Sequence, residues 1–189
     1  MISTPSNWAG NYTYRAAQIH APETVEQVQE LVTRSNKVKA LGTRHSFNDI
    51  ADSSGDLISL EHFDKILNLD RERRTVTVEA GVRYGRLARW LHDAGYALHN
   101  LASLPHISVA GAVATATHGS GDRHGNLATA VSAMELVTGN GELMFLSREH
   151  DREQFEGAVV GLGGPGVITK LILDISPTFL MQQDVYENL

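Results

Sequence analysis

Val38-Lys39-Ala40-Leu41-Gly42-Thr43-Arg44-His45-Ser46 passes from an apolar-rich segment straight into turn residues. Val38 to Leu41 reads as a strand, and the residues after it as a loop, because a glycine directly after a strand frees the backbone to turn. Upstream, Pro22-Glu23-Thr24 opens a helix whose Val25, Val28, Leu31 and Val32 recur at helical spacing, and Thr13 to Ala21 reads as a short strand before it. The chain therefore begins as a β-α-β unit that delivers Gly42–Ser46 to a strand end, where ligand-binding loops commonly sit. Consecutive amides in such a turn can form a concave nest for a pyrophosphate. The same residues also suit a turn with no ligand, and a lone histidine such as His45 is commonly a hydrogen-bonded structural group.

Further strands and helices follow downstream. Leu57 to Leu60 and Ile66 to Leu69 read as strands, and Asp70-Arg71-Glu72-Arg73 is a polar turn before the alternating Thr75-Val76-Thr77-Val78, a hairpin with one wet face. Arg71 to Arg74 reads as solvated. Tyr84 to Ala94 is an amphipathic helix with Leu87, Ala88 and Leu91 inward, stopped by Gly95. Ala130 to Thr138 and Leu143 to Leu146 flank Gly139-Asn140-Gly141, a hairpin signal. Asp151 to Leu162 reads as a helix, and Val167 to Ile175 as a closing strand after the breaker run Gly163-Gly164-Pro165-Gly166. The expectation is an α+β fold: a small β-α-β subdomain over residues 1–62 and a larger, mainly antiparallel subdomain with helices over 63–189.

Between these elements, Leu101 to Gly121 is dominated by small residues and has no acidic group. Ser108 is placed as an N-cap whose hydroxyl accepts an orphan amide bond, and the exposed helix start would attract an anion. Gly111 would let that helix lie flat against a ligand, with Thr115, Thr117 and His118 supplying donors at its far end. Tight helix packing needs the same small side chains, so spacing leaves both readings open.

Composition narrows the classes. The 189 residues are 42% hydrophobic, enough for a core. The formal net charge is -6 with no run of Lys or Arg, so the electrostatic footprint of a nucleic-acid binder is missing. Cysteine is absent, which removes disulfides, thiolate metal sites and a cysteine nucleophile, and fits a reducing compartment. Met1 to Gly10 shows no basic-then-apolar leader and no long uncharged run spans a bilayer, so a soluble, cytoplasmic protein with no membrane partner is the default expectation. His20, His62, His92, His99, His124 and His150 are scattered without metal-ligand spacing, and no metal is expected. No G-x-G-x-x-G follows the first strand, which argues against a dinucleotide Rossmann enzyme.

Two segments carry a family likeness. Leu41-Gly42-Thr43-Arg44-His45-Ser46-Phe47-Asn48 is similar to the histidyl-flavin loop of vanillyl-alcohol-oxidase-type flavoproteins, and Leu104-Pro105-His106-Ile107-Ser108-Val109-Ala110-Gly111 with Thr117-His118-Gly119-Ser120-Gly121 resembles their second FAD loop. Asn7-Trp8-Ala9-Gly10-Asn11 and Gly166-Val167-Ile168-Thr169 also look like family positions, so the resemblance covers almost the whole chain. Within the family the likeness is to the alditol (xylitol) oxidases, with aldonolactone oxidases such as D-arabinono-1,4-lactone oxidase as relatives. It implies a PCMH-type FAD-binding domain, two α+β subdomains clasping FAD, with His45 bonded covalently to the flavin's 8-methyl carbon. It also implies that Ala40, Leu41, Gly42, Thr43, Arg44, His45 and Ser46 wrap the pyrophosphate, and that Ser108, Gly111, Thr115, Ala116, Thr117 and His118 complete the cradle. Val167 would touch the adenine side, and Ser103 would sit near the isoalloxazine and face the substrate. A neutral imidazole is a suitable nucleophile near neutral pH. The absence of cysteine excludes a second, cysteinyl attachment. Arg44 departs from the small residue expected before the histidine; pairing with a phosphate and simple exposure both remain open.

The resemblance further implies a flavoprotein oxidase that takes a hydride from the terminal hydroxymethyl carbon of an alditol such as xylitol or sorbitol, giving an aldehyde, with dioxygen reduced to hydrogen peroxide. In the family the substrate-binding groups lie C-terminal to this region, whereas this chain stops at Leu189. The expectation is that the substrate domain is absent, that the chain alone turns over weakly or not at all, and that the face so left is prone to self-association. Ala102 is small enough to leave an oxygen path, which does not separate oxidase from dehydrogenase. A flavin-binding module without turnover, and a noncovalent reductase of the enolpyruvyl-glucosamine type, are the competing readings.

Overall fold

The computed structural model describes residues 5–182 and 184–187. Near the N-terminus, β1 (Gln18–His20), α1 (Val25–Arg34), β2 (Val38–Leu41) and β3 (Asp56–Ser59) follow in order. They form a parallel sheet with β3 between β1 and β2. α1 starts where the Thr24 hydroxyl accepts from the Gln27 amide, and it buries Val28, Leu31 and Val32, residues of the helical spacing. β2 has the expected bounds. β1 is shorter than Thr13 to Ala21: Thr13 bridges Ser6 instead, and the Arg15 amide is taken by the Asp52 carboxylate, so that part of the chain cannot join a ladder.

The larger part contains β4 (Ile66–Asp70), β5 (Thr75–Glu79), α2 (Tyr84–Asp93), β6 (Tyr96–Ala97), α3 (Val109–Ala114), β7 (Val131–Val137), β8 (Leu143–Ser147), α4 (Arg152–Val159), β9 (Val167–Asp174) and β10 (Ser176–Pro177). Its main sheet has the order β4-β5-β9-β7-β8, antiparallel throughout. Asp70 closes the first hairpin by accepting from the amides of Glu72 and Arg73. Gly141, at φ 82°, closes the β7–β8 turn, a conformation glycine enters without steric cost. Strand alternation places Val76 and Val78 inward and Thr75, Thr77 and Glu79 outward. β6 pairs with β10 in a second, two-stranded sheet that the sequence pattern does not announce. The helix expected over Asp151 to Leu162 ends at Val159; Leu162 takes a positive φ of 53° and its amide donates to the Ala114 carbonyl, which turns the chain toward α3.

The fold is α+β. Leu87 and Leu91 of α2 and Val109 and Val113 of α3 pack against Val76, Val78, Met134, Leu136, Leu171 and Leu173 of the large sheet. Each leucine so buried contributes about 1.5–3 kcal/mol. A second cluster joins Val28 and Val32 of α1 to Ile58, Leu60 and Phe63, and to Ala80, Val137 and Val167, so the two sheets share buried surface. Among the described residues no helix is long and apolar enough to cross a membrane.

Candidate functional site

Three loops meet beside that shared core: the one after β2, the one before α3, and the turn from β5 into α2. The amide of Ser108 donates to the Thr43 hydroxyl at 3.3 Å, which ties the first two. The amides of Val109 and Ala110 donate to the carbonyls of Val82 and Ala80 at 2.8 and 3.1 Å, and the Tyr84 amide to the Ile107 carbonyl at 3.0 Å, which ties in the third. These bonds correct the expectation for Ser108. It occupies the capping position of α3, but its hydroxyl makes no capping bond, since the first helical amides are consumed by the facing loop. Ser108 and Val109 are buried, so this helix start is not an exposed anion site. The Ser108 hydroxyl faces two glycines instead: a Cβ on Gly42 would come within 3.1 Å of its oxygen, and one on Gly111 within 2.8 Å.

The loops enclose a cavity of about 670 Å³, in the size range of ligand and cofactor sites. Ala40, Leu41, Gly42, Thr43, Arg44, His45 and Ser46 all line it, as do Ser108, Gly111, Thr115 and Thr117. Among the described residues the amides of Thr43, Arg44, His45 and Ser46 donate to no other protein group, and Arg44 is left-handed at φ 63°. Thr115 donates its hydroxyl back to the Gly111 carbonyl at 3.1 Å and lies 3.1 Å from the Thr117 hydroxyl, so the pair present one polar patch. Ser103 and His118 are exposed and do not line the cavity; the His118 ring nitrogen Nδ1 lies 2.9 Å from the Gly119 carbonyl. Ala116 is a left-handed turn residue at φ 52° behind Thr115 and Thr117. Val167 is buried against α1, and its neighbours Gly166 and Ile168 reach the cavity in its place.

His45 stands at the edge of the cavity in an aromatic group. Its ring lies 4.9 Å from Trp8 and 4.6 Å from His106, and Trp8 and His106 are 6.1 Å apart. Both His45 nitrogens are sealed from solvent without a hydrogen-bond partner among the described residues. Burial, and then the nearby His106, lower the His45 pKa, so the ring is held neutral. The loop that carries it is clamped from outside: the Trp8 amide donates to the Arg44 carbonyl at 2.8 Å, and the side-chain amides of Asn7 and Asn11 donate to the carbonyls of Ser46 and Phe47.

Several lining groups were not singled out by sequence reasoning. Arg83 faces the cavity from the start of α2, and Lys39 and Arg86 add two more cations. Arg86 is committed to Asp64 at 2.7 Å and Lys39 to the Ile50 carbonyl at 2.7 Å, whereas neither Arg83 nor Arg44 has an acidic partner among the described residues. Gly81 makes the loop junction possible, because a Cβ there would collide with the carbonyls of Leu60 and Phe63. The signal available was Ala80-Gly81-Val82-Arg83, a glycine turn at a strand end comparable to Gly42. The lining carries two carboxylates, Glu61 and Asp64, of which Asp64 is paired with Arg86; the guanidinium groups of Arg44 and Arg83 and the free amides leave room for an anion beside the aliphatic and alanine surface.

The family described as FAD binding domain matches residues 16–147. The chain is 46% identical over 192 residues to the alditol oxidase of Streptomyces sp. (strain IKD472 / FERM P-14339), an alignment that takes in 100% of this chain and 46% of the relative. It is 35% identical over 186 residues to the L-gulonolactone oxidase of Bos taurus, taking in 96% of this chain and 42% of that enzyme. It is 32% identical over 195 residues to the D-arabinono-1,4-lactone oxidase of Saccharomyces cerevisiae, taking in 97% of this chain and 37% of that enzyme. The chain thus spans less than half the length of these curated relatives.

Proposed function

The chain belongs to the FAD binding domain family, and from that premise we propose that it is the FAD-binding half of an alditol oxidase that carries its flavin covalently on His45. The observation that carries the reading is His45 itself, a neutral ring at the cavity edge with both nitrogens buried and unbonded. Buried polar atoms are nearly always paired, so an unpartnered pair at a cavity wall fits a group that is completed by a ligand. The remaining residues fit the same cofactor: the free amides from Thr43 to Ser46, with Arg44 and Arg83, would hold the pyrophosphate, and Gly42 and Gly111 let the two loops that line the cavity close on each other around the Ser108 hydroxyl.

When bound, FAD would accept a hydride from the terminal hydroxymethyl carbon of a polyol and pass the electrons to dioxygen, giving an aldehyde and hydrogen peroxide. The chain's own part is to bind, orient and exclude water. The Asn7–Asn11 turn fixes the His45 loop, Ser108 spaces the two glycine loops, and aliphatic groups such as Leu41, Ala110 and Ile168 supply apolar lining. Groups that select the polyol and take its hydroxyl proton are assigned to the part of the protein outside this stretch, because the alditol oxidase relative extends well beyond the aligned region. On the same ground we assign weak or no turnover to this chain by itself, so that in isolation it behaves as a flavin-binding module. The cysteine-free composition is compatible with work in the cytoplasm.

Acid denaturation tests the assignment. Yellow flavin fluorescence that stays with the polypeptide and maps to the His45 peptide is the expected result, and His45→Ala should release all of it. Flavin still bound to the denatured His45→Ala chain would make another residue the anchor.

A further inference from the structure

Leu162 stands in the left-handed region at φ 53° within the run Gly161-Leu162-Gly163-Gly164-Pro165-Gly166, at a position that glycine would take without steric cost. A leucine there is strained, and such strain persists only where the surroundings hold the backbone. They do so here. The Leu162 amide donates to the Ala114 carbonyl at 3.2 Å, and the Gly164 amide to the Gly161 carbonyl at 2.8 Å. A Cβ on Gly166 would collide with the Val137 carbonyl, and one on Gly161 with the Pro165 ring, so the loop is closely seated at both ends. Core packing does not account for the leucine: it belongs to none of the buried clusters among the described residues and is 47% exposed. It lines the cavity instead.

The place of Leu162 decides what it meets. His106, beside His45, precedes α3, whereas Ala114, which accepts from the Leu162 amide, is the last of that helix's 6 residues. A helix of that length rises about 9 Å. A flavin ring held at His45 therefore leaves the Leu162 end of the cavity for the other half of a dinucleotide. That end is furnished for a nucleoside, with the hydroxyls of Thr115 and Thr117 beside an apolar wall of Ala114, Leu162 and Ile168. We propose that Leu162 is a clamp for the adenine ring of FAD, and that the strained leucine is kept because it makes the chain prefer the dinucleotide to FMN, which lacks the adenosine. This rests on the His45 reading above, which sets the direction of the cofactor. The leucine gives apolar surface to one face of the purine, which glycine at the same position would not.

The test titrates the His45→Ala chain, freed of flavin, with ADP and with FMN in a calorimeter, a readout independent of turnover. Leu162→Ala and Leu162→Gly in that chain weaken ADP binding about tenfold and leave FMN binding unchanged. Leu162→Met keeps an apolar side chain and holds ADP affinity within about threefold of the parent. Melting temperature reads the strain separately: Leu162→Gly melts about 2–4 °C above Leu162→Ala, the reverse of the usual order for these two residues. Parent-like ADP affinity in both small variants, or equal weakening of ADP and FMN, overturns the clamp and leaves the His45 assignment standing. Leu162→Gly melting below Leu162→Ala overturns the strain, and with it the reason for a leucine at this position. Loss of FMN affinity with ADP affinity intact places the flavin at Leu162, away from His45, and overturns both readings.

Discussion

Asn7 donates from its side-chain amide to the Ser46 carbonyl at 3.0 Å, across 39 residues of chain, and is itself almost fully buried. The same amide donates to Asn11 Oδ1 at 2.7 Å, and Asn7 Oδ1 accepts from the Tyr12 amide at 3.1 Å. One side chain therefore closes its own turn and pins the loop of His45. Asn7→Ala should cost about 1–3 kcal/mol in urea unfolding and lower the flavin-to-protein ratio. Asn7→Asp keeps the acceptor for Tyr12 but loses both donors and turns a buried carboxylate oxygen toward the Asn11 and Ser46 oxygens, so it should be no more stable than Asn7→Ala and retain no more flavin. Equal flavin content in all three proteins would show that the turn does not govern the loop.

Gly81 and Gly157 should respond in opposite directions to the same substitution. A Cβ at Gly81 collides with two backbone carbonyls, which cannot move aside without disrupting the junction of the three loops. Gly157 lies in α4 with nothing within 4 Å of such a Cβ. Gly81→Ala should destabilise by about 2 kcal/mol or more and open the cavity, whereas Gly157→Ala should stabilise by about 0.5–1 kcal/mol through helix propensity and a less flexible unfolded chain. Thermal denaturation of the two variants checks the sign as well as the size.

Local signals made much of this fold legible. Valine and leucine spacing gives α1, the Val38 to Leu41 run gives β2, and Gly139-Asn140-Gly141 gives the β7–β8 hairpin. The turn from Gly42 to Ser46 was legible at a strand end, where binding loops commonly sit, but the same residues suit a turn with no ligand, and only the family likeness singled it out. What escaped was decided by partners distant in sequence. Ser108 looks like a cap, yet its helix amides bond Ala80 and Val82, and that competition cannot be read from residues near Ser108. The two-residue strands β6 and β10 are too short to show a period. Arg83, unremarkable in the sequence, reaches the cavity because the β5–α2 turn folds under α3.

Asp52 links acidity to the N-terminal segment. Its side chain has no exposed surface and accepts from the Tyr12 hydroxyl at 2.7 Å, from the amides of Arg15 and Ser53, and from the Arg15 guanidinium. Burial alone raises its pKa, but these donors outweigh burial and leave the carboxyl lowered from its ordinary value of 3.8. A carboxyl lowered on folding contributes stability that is present above its unfolded pKa and lost as pH falls through the folded value. The chain should hold its stability down to the ordinary aspartate range and lose the Asp52 contribution below it. Asp52→Asn, which cannot ionise, should be less stable at neutral pH and should show less of that acid-dependent loss in urea titrations at stepped pH.

Titration of His45 bears on the chemistry most directly. Its pKa is lowered from 6.5, first by burial and second by His106, so the neutral ring persists into mildly acidic solution. By the same sign rule, its contribution to stability is present above the unfolded value and lost as pH falls through the folded one. Followed by the ring proton resonances in the flavin-free chain, the His45 midpoint should lie below 6.5. Trp8→Ala removes the ring tilted against His45 at 4.9 Å and admits water, while His106→Ala removes the neighbouring imidazole that disfavours protonation of His45. Both should move the midpoint up, Trp8→Ala further, because desolvation is the larger cause. A greater shift from His106→Ala would make the histidine pair, rather than burial, what keeps the ring neutral. An unshifted midpoint in the wild type would remove the electrostatic basis for a reactive imidazole at neutral pH and leave geometry alone to argue for His45.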